Sequence, residues 1–195
     1  ELRDLVEALP GPDDELELHT RPAQESTNDT SLVTALLAHH PDSSLEQRAI
    51  EVLPLLRGAF SFVWMDEDTL YAARDPQGIR PLVLGRLERG WVIASEDAAL
   101  ATVVREVEPG ELLVIDESGL RSHHFAEPTP KGCVFEYVYL ARPDATISGR
   151  NVHEARVEMG RRLAREFPVE ADLVMPVPES GTPAASGYVQ ESGIP

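Results

Sequence analysis

Leu173-Val174-Met175-Pro176-Val177-Pro178-Glu179-Ser180-Gly181-Thr182-Pro183, running into a helical pattern from Ala184, is the stretch that decides the fold. Residues 173–177 read as a buried-type strand, 178–183 as a loop of small and turn-forming residues, and Ala184 onward as a helix. Strand, small-residue loop and helix in that order belong to a parallel α/β sheet. Working outward, Asn151 reads as the N-cap of a preceding helix, with Glu154 at its third position. The face assigned to that helix is Val152, Ala155, Met159, Leu163 and Phe167. Before it, Val134 to Leu140 reads as an apolar strand.

Upstream of residue 130 the pattern is different. Ala126 to Lys131 is a short, polar, Pro-containing connector and a candidate domain boundary. The segments before it alternate and are punctuated by Gly, Asp and Pro, as antiparallel sheets are. Ala59–Met65 turns at Asp66-Glu67-Asp68 into Thr69–Arg74. Pro81–Leu84 pairs in expectation with Trp91–Ala94, and Glu111–Ile115 with Leu120–Phe125 through Glu117-Ser118-Gly119. Two helical patterns lie earlier. Ser31–His39 carries Leu32, Ala35, Leu36 and His39 on one face, and Leu45–Leu56 carries Leu45, Ala49, Val52, Leu53 and Leu56. Residues 10–30 are turn-rich loop.

Composition narrows the function. With 195 residues the chain is long enough for one ordinary domain or two small ones. A net charge of −17 argues against a general nucleic-acid binder and against anionic membrane surfaces. No apolar run approaches a bilayer span, and Glu1-Leu2-Arg3-Asp4 shows no signal-peptide pattern, so a cytoplasmic location is expected. One cysteine excludes an internal disulfide and any Cys-only metal site within these residues.

The candidate chemistry is sparse. The loop 178–183 opens a helix, where backbone N–H groups favour an anion. Ser180 and Thr182 add hydroxyls and Glu179 a carboxylate, a composition that fits a phosphate ligand bound with Mg²⁺. The same loop also reads as a tight connection with an N-capping Ser180. Arg74, Asp75 and Arg80 form either a buried ion-pair network or an anion site. Asp29 either caps a helix or accepts a ligand ammonium group. Cys133 reads as a small hydrophobe with no paired base. His19, His39, His40, His123, His124 and His153 show no metal-site spacing and read as surface or hairpin residues.

Several segments together resemble the amidophosphoribosyltransferase family, also called glutamine phosphoribosylpyrophosphate amidotransferases. They are GAFSF (58–62), TLYAARDPQGIRPL (69–82), ASE (94–96), VREVEPGEL (104–112), CVFEYVYLARPD (133–144), 151–160, and 169–195 with VPESGTPAASGY. The resemblance is weakest in residues 1–25. It implies an α+β N-terminal-nucleophile (class II glutamine amidotransferase) domain, in part, over residues 1–127. The start of an α/β type I phosphoribosyltransferase domain would follow over 128–195. The implied reaction hydrolyses glutamine and passes the ammonia through an internal channel to phosphoribosyl pyrophosphate. The product is 5-phosphoribosylamine, in the first committed step of purine synthesis.

By the same resemblance, Asp29 holds the α-amino group of glutamine. Ser180, flanked by Glu179 and Gly181, lies at the Mg²⁺–phosphoribosyl pyrophosphate site, with Ser180 a Mg²⁺ ligand. Cys133 matches the first ligand of a [4Fe–4S] cluster in members that carry one. The family's N-terminal Cys nucleophile matches nothing in this chain, so no catalytic residue is assigned and these residues alone are expected to be inactive. A homo-oligomer with glutamine and phosphoribosyl pyrophosphate as small-molecule partners is implied, with no nucleic acid and no membrane. Residues 101–103 are fewer than the family usually has between Leu100 and Val104. Two alternatives remain: another class II amidotransferase, or a degenerate ligand-binding module.

Overall fold

The computed structural model of the chain describes residues 4–5, 28–38 and 43–195. Helices α1 (Asp29–Ala38) and α2 (Leu45–Val52) come first, α2 running into a 3-10 turn at Leu53–Leu55. Strands β1 (Ser61–Met65), β2 (Leu70–Arg74), β3 (Val83–Leu87), β4 (Gly90–Ala94), β5 (Val103–Glu106), β6 (Glu111–Asp116) and β7 (Gly119–His124) follow. After a π-helical turn at Glu136–Leu140 come two-residue strands β8 (Thr146–Ile147) and β9 (Arg150–Asn151), then helices α3 (Val152–Glu166) and α4 (Gly181–Ser192). The chain groups into two compact units, Glu1–Pro76 with Pro109–Pro128 and Gln77–Glu108 with Thr129–Pro195. The turn-rich segment before residue 28, with His19, His39 and His40, lies outside the described residues.

The first unit is an antiparallel sheet ordered β1-β2-β6-β7. Alternation puts Tyr71 and Ala73 of β2 and Leu112 and Val114 of β6 on one face, in a core with Leu32, Leu36 and Leu53 of the helical segments. Phe60, Phe62 and Trp64 share that side as expected. Phe60 stacks on Phe62 at 4.9 Å between ring centroids, and Trp64 on Tyr71 at 5.4 Å. Ser44 caps α2, its hydroxyl accepting from Gln47 N at 3.2 Å. Arg74 and Asp75 are buried. Asp75 N donates to Phe60 O, Asp75 Oδ2 accepts from Phe60 N, and Gly110 N donates to Arg74 O. Arg80 belongs to the other unit.

A charge network ties α2 to the β6–β7 hairpin. Arg121 lies 2.9 Å from Glu46 and 2.7 Å from Asp116, and His123 Nε2 lies 2.7 Å from Glu46. The Ser118 hydroxyl, then Arg121, holds the Asp116 carboxyl down at about 2. Arg121 is the main reason Glu46 also stays below its ordinary value, against the opposing effect of burial. A carboxyl lowered on folding adds stability above its unfolded pKa and loses it as pH falls through the folded value. Glu46→Gln is therefore expected to lower Tm at pH 7 and to match the parent near the acid end of that window. Thermal melts at pH 7 and at about pH 2 check this; equal Tm at pH 7 would contradict it.

The second unit carries the sheet ordered β4-β3-β5. Strand β5 was not legible beforehand. Small carboxylate bonds hold the β8–β9 ribbon: Thr146 N donates to both Asp97 oxygens at 3.0 Å, and Ser148 N donates to Glu106 Oε1. Asn151 caps α3 as its spacing predicts, accepting from Glu154 N at 3.0 Å.

Three expectations are corrected here. The segment Val134–Leu140 is helical, with Ala141 N donating to Glu136 O at 2.9 Å across a π turn. Leu173–Val177 forms no strand. Apart from a bond from Val174 N to Pro195 O, no neighbouring strand pairs with it among the described residues, and Met175 and Val177 are exposed. A parallel strand gets its ladder from segments distant in sequence, and none of the described residues supplies one. The buried stripe of α3 is Val152, Arg156, Gly160 and Ala164, while Met159, Leu163 and Phe167 are exposed. The reason is the close crossing with α4. A Cβ on Gly160 would come 1.8 Å from Ala184 O, and one on Gly187 would come 1.9 Å from Val157 O. Only glycine lets the two backbones approach this far, so small residues take the contact and the large apolar ones point away.

Candidate functional site

The site is built around the start of α3. Val152 is fully buried and the Asn151 cap fixes the entry of the helix, which places Arg156 one turn inside. Arg156 is 4% exposed, yet no carboxylate pairs with it among the described residues. Its guanidinium bridges two main-chain acceptors: Nε donates to Tyr137 O at 2.6 Å and Nη2 to Ala141 O at 2.8 Å. Burial away from water pushes the guanidinium pKa down from its ordinary value. Tyr137 lies in the π turn and Ala141 caps its end. At the other end of that turn Glu136 is buried, with Arg80 Nη1 2.7 Å from its Oε1, placed as an ion pair and not aligned as a hydrogen bond.

The far edge of this turn lines a cavity of about 790 Å³. Tyr139, Leu140 and Arg156 line it, together with Glu179, Ser180 and Thr182 around the start of α4. That volume is in the range of small-molecule sites. Ser180 is the N-cap position of α4, but its hydroxyl makes no capping bond, so the capping role weighed for it is not seen. The amides of Gly181 and Thr182 are turned onto Val177 O and Glu179 O, at 3.2 and 3.1 Å. The helix start therefore presents side-chain oxygens, and not free N–H groups, as its polar edge. Hydroxyl and carboxylate oxygens are hard donors of the kind Mg²⁺ takes when phosphate oxygens and water complete its shell. A cavity edged by such oxygens suits a phosphate ester accompanied by a divalent cation.

The other expected site residues lie apart from this cavity. Asp29 is the first residue of α1, exposed, and in the first unit. Beside it Asn28 does the capping: Thr30 N donates to Asn28 Oδ1 at 3.0 Å. That leaves the Asp29 carboxylate outside the capping role weighed for it. Cys133 is half-buried and reduced, just before the helical turn that leads to Glu136, and its carbonyl accepts from Glu136 N at 3.2 Å. Among the described residues no three His, Cys, Asp or Glu side chains gather as a metal-binding group. One thiol supplies one of the four thiolates that a [4Fe–4S] cluster takes. The sequence reading missed Arg156, Glu136 and His153, which also lines the cavity. Arg156 falls on the same helical stripe as Val152, Gly160 and Ala164, but arginine in a helix reads as surface.

Residues 13–102 match the family model described as a glutamine amidotransferase domain. The chain is 67% identical over 181 residues to the amidophosphoribosyltransferase of Mycobacterium bovis, covering 90% of this chain and 34% of that protein. It is 68% identical over 174 residues to the same enzyme of Mycobacterium leprae, covering 87% and 31%. Among solved structures, it superposes on the glutamine phosphoribosylpyrophosphate amidotransferase of B. subtilis, complexed with ADP and GMP. The TM-score is 0.84 at 39% identity, over 93% of this chain and 42% of that one. The chain thus spans about a third of the length of these curated relatives. The fold is that of an α+β N-terminal-nucleophile glutaminase domain, in part, followed by the start of an α/β phosphoribosyltransferase domain. With identity this high across nearly all of its residues, the chain belongs to the amidophosphoribosyltransferase family.

Proposed function

We propose that the intact protein containing these residues transfers ammonia from glutamine to phosphoribosyl pyrophosphate, giving 5-phosphoribosylamine for purine synthesis. The observation that carries this is the 67% identity over 90% of the chain to a protein of that name. Residues 1–127 are assigned to the glutaminase part and 128–195 to the transferase part. The cavity of the second unit is assigned to phosphoribosyl pyrophosphate, and Asp29 to the ammonium group of glutamine, which a carboxylate accepts.

In the transferase step the ammonia nitrogen bonds to C1 of the ribose. The bond from C1 to the pyrophosphate oxygen breaks, and the new C–N centre sheds a proton. Ser180 and Glu179 would hold Mg²⁺, and Gly181, having no side chain, would leave the approach to it open. When bound, the ion offsets charge on the leaving pyrophosphate. Tyr139 and Leu140 shield the reacting carbon from water, which would otherwise compete with ammonia. The reading carries with it a cytoplasmic homo-oligomer; no helix among the described residues is long and apolar enough to cross a membrane. Release of pyrophosphate and glutamate in equal amounts, only when both substrates are present, supports it. Glutamate release with no pyrophosphate would overturn it.

Cys133 is proposed as one ligand of a [4Fe–4S] cluster whose other ligands lie outside these residues. The expected result is a brown protein absorbing at about 400 nm after anaerobic purification, with the colour lost in Cys133→Ser. A colourless, iron-free parent would remove Cys133 from this role.

A further inference from the structure

Five-residue π turns are rare, and they recur at functional sites. This one, Glu136–Leu140, is held at both ends by buried charge. Glu136, 4% exposed at its side chain, is paired with Arg80 at 2.7 Å. Arg156 closes the other end by taking the carbonyls of Tyr137 and Ala141 in one planar fork. Burying a cation with no carboxylate partner is costly, and ordinary helix packing does not require it. What the arrangement does achieve is a fixed direction for the residues after Glu136, including Tyr139 and Leu140, which line the cavity together with Ser180 and Thr182.

We propose that Arg156 is a positioning residue: by clamping the Tyr137 and Ala141 carbonyls against the Glu136–Arg80 anchor, it sets the wall of the cavity and with it the affinity for the phosphorylated substrate. The proposal rests on the assignment of that cavity to phosphoribosyl pyrophosphate. Arg156 acts through the turn and not by touching substrate. The fork is the essential feature. Lysine keeps the charge but has one nitrogen, so it cannot span carbonyls four residues apart.

The test uses the intact protein and Arg156→Lys, with calorimetric binding of phosphoribosyl pyrophosphate plus Mg²⁺ to the parent measured first. If the parent does not bind it, the assignment of the cavity falls, and this proposal with it. If the parent binds, Arg156→Lys is expected to raise KM for phosphoribosyl pyrophosphate about tenfold, with KM for glutamine unmoved. Faster hydrogen exchange at the Ala141 amide, which bonds to Glu136 O, should accompany the change. A variant that folds, as judged by Tm, and binds the substrate like the parent would overturn the proposal. Should Arg156→Lys fail to fold, Glu136→Gln loosens the other end of the same turn and takes the same criterion.

Discussion

Gly160→Ala is expected to cost about 3 kcal/mol and to lower Tm by about 10 °C. The added methyl would sit 1.8 Å from the Ala184 carbonyl oxygen, and the obstacle is backbone, which cannot rotate out of the way. Helices α3 and α4 must separate by more than an ångström, and the Gly187 contact with Val157 O is lost in the same movement. Because α3 carries Arg156 and α4 begins at Ser180, separation also opens the cavity. Phosphoribosyl transfer should therefore fall further than glutamine hydrolysis. Gly187→Ala should behave in the same way. Gly58→Ala is the contrast, since nothing lies within 4 Å of its Cβ and only its positive φ opposes the change; about 1 kcal/mol is expected there. A Gly160→Ala protein melting within a degree or so of the parent would contradict the close crossing.

Ser180→Ala is the second large effect, and it is chemical. The Ser180 hydroxyl makes no capping bond, so its removal leaves α4 without a lost partner and Tm should hold. If it is a ligand of Mg²⁺ at the pyrophosphate, transfer from ammonia to phosphoribosyl pyrophosphate should drop by at least about tenfold. Higher Mg²⁺ should restore part of the rate. Unchanged transfer would remove Ser180 from the site; lost transfer together with a lower Tm would return it to a structural role.

The sequence was most readable where local chemistry decides the structure. Turn residues at Asp66-Glu67-Asp68 and Glu117-Ser118-Gly119 located two antiparallel hairpins, and Asn151 located the start of α3. It was least readable where distant residues decide. The run Val134–Leu140 is apolar enough for a strand, and short apolar runs do not separate strand from helix. Arg156, which takes the Tyr137 and Ala141 carbonyls, and the anchor at Arg80 favour the helical form, and neither is local to the run. On α3, apolar periodicity pointed to Met159 and Leu163, whereas the packing uses Gly160 against Gly187 because backbone closeness outweighs side-chain area there. Of the candidate site, Glu179, Ser180 and Gly181 were named from their loop and from the resemblance, and Glu179 and Ser180 line the cavity. Arg156, which also lines it, was not named, because an isolated arginine carries no sign in sequence of the carbonyls it will meet.

The account stands most directly on one measurement: the fate of amide-¹⁵N glutamine given to the intact protein with phosphoribosyl pyrophosphate, Mg²⁺ and excess unlabelled ammonium. It predicts that the label enters 5-phosphoribosylamine in preference to the unlabelled nitrogen, with one pyrophosphate released for each labelled product. Labelled ammonia appearing free in solution, with no labelled phosphoribosylamine formed, would contradict it.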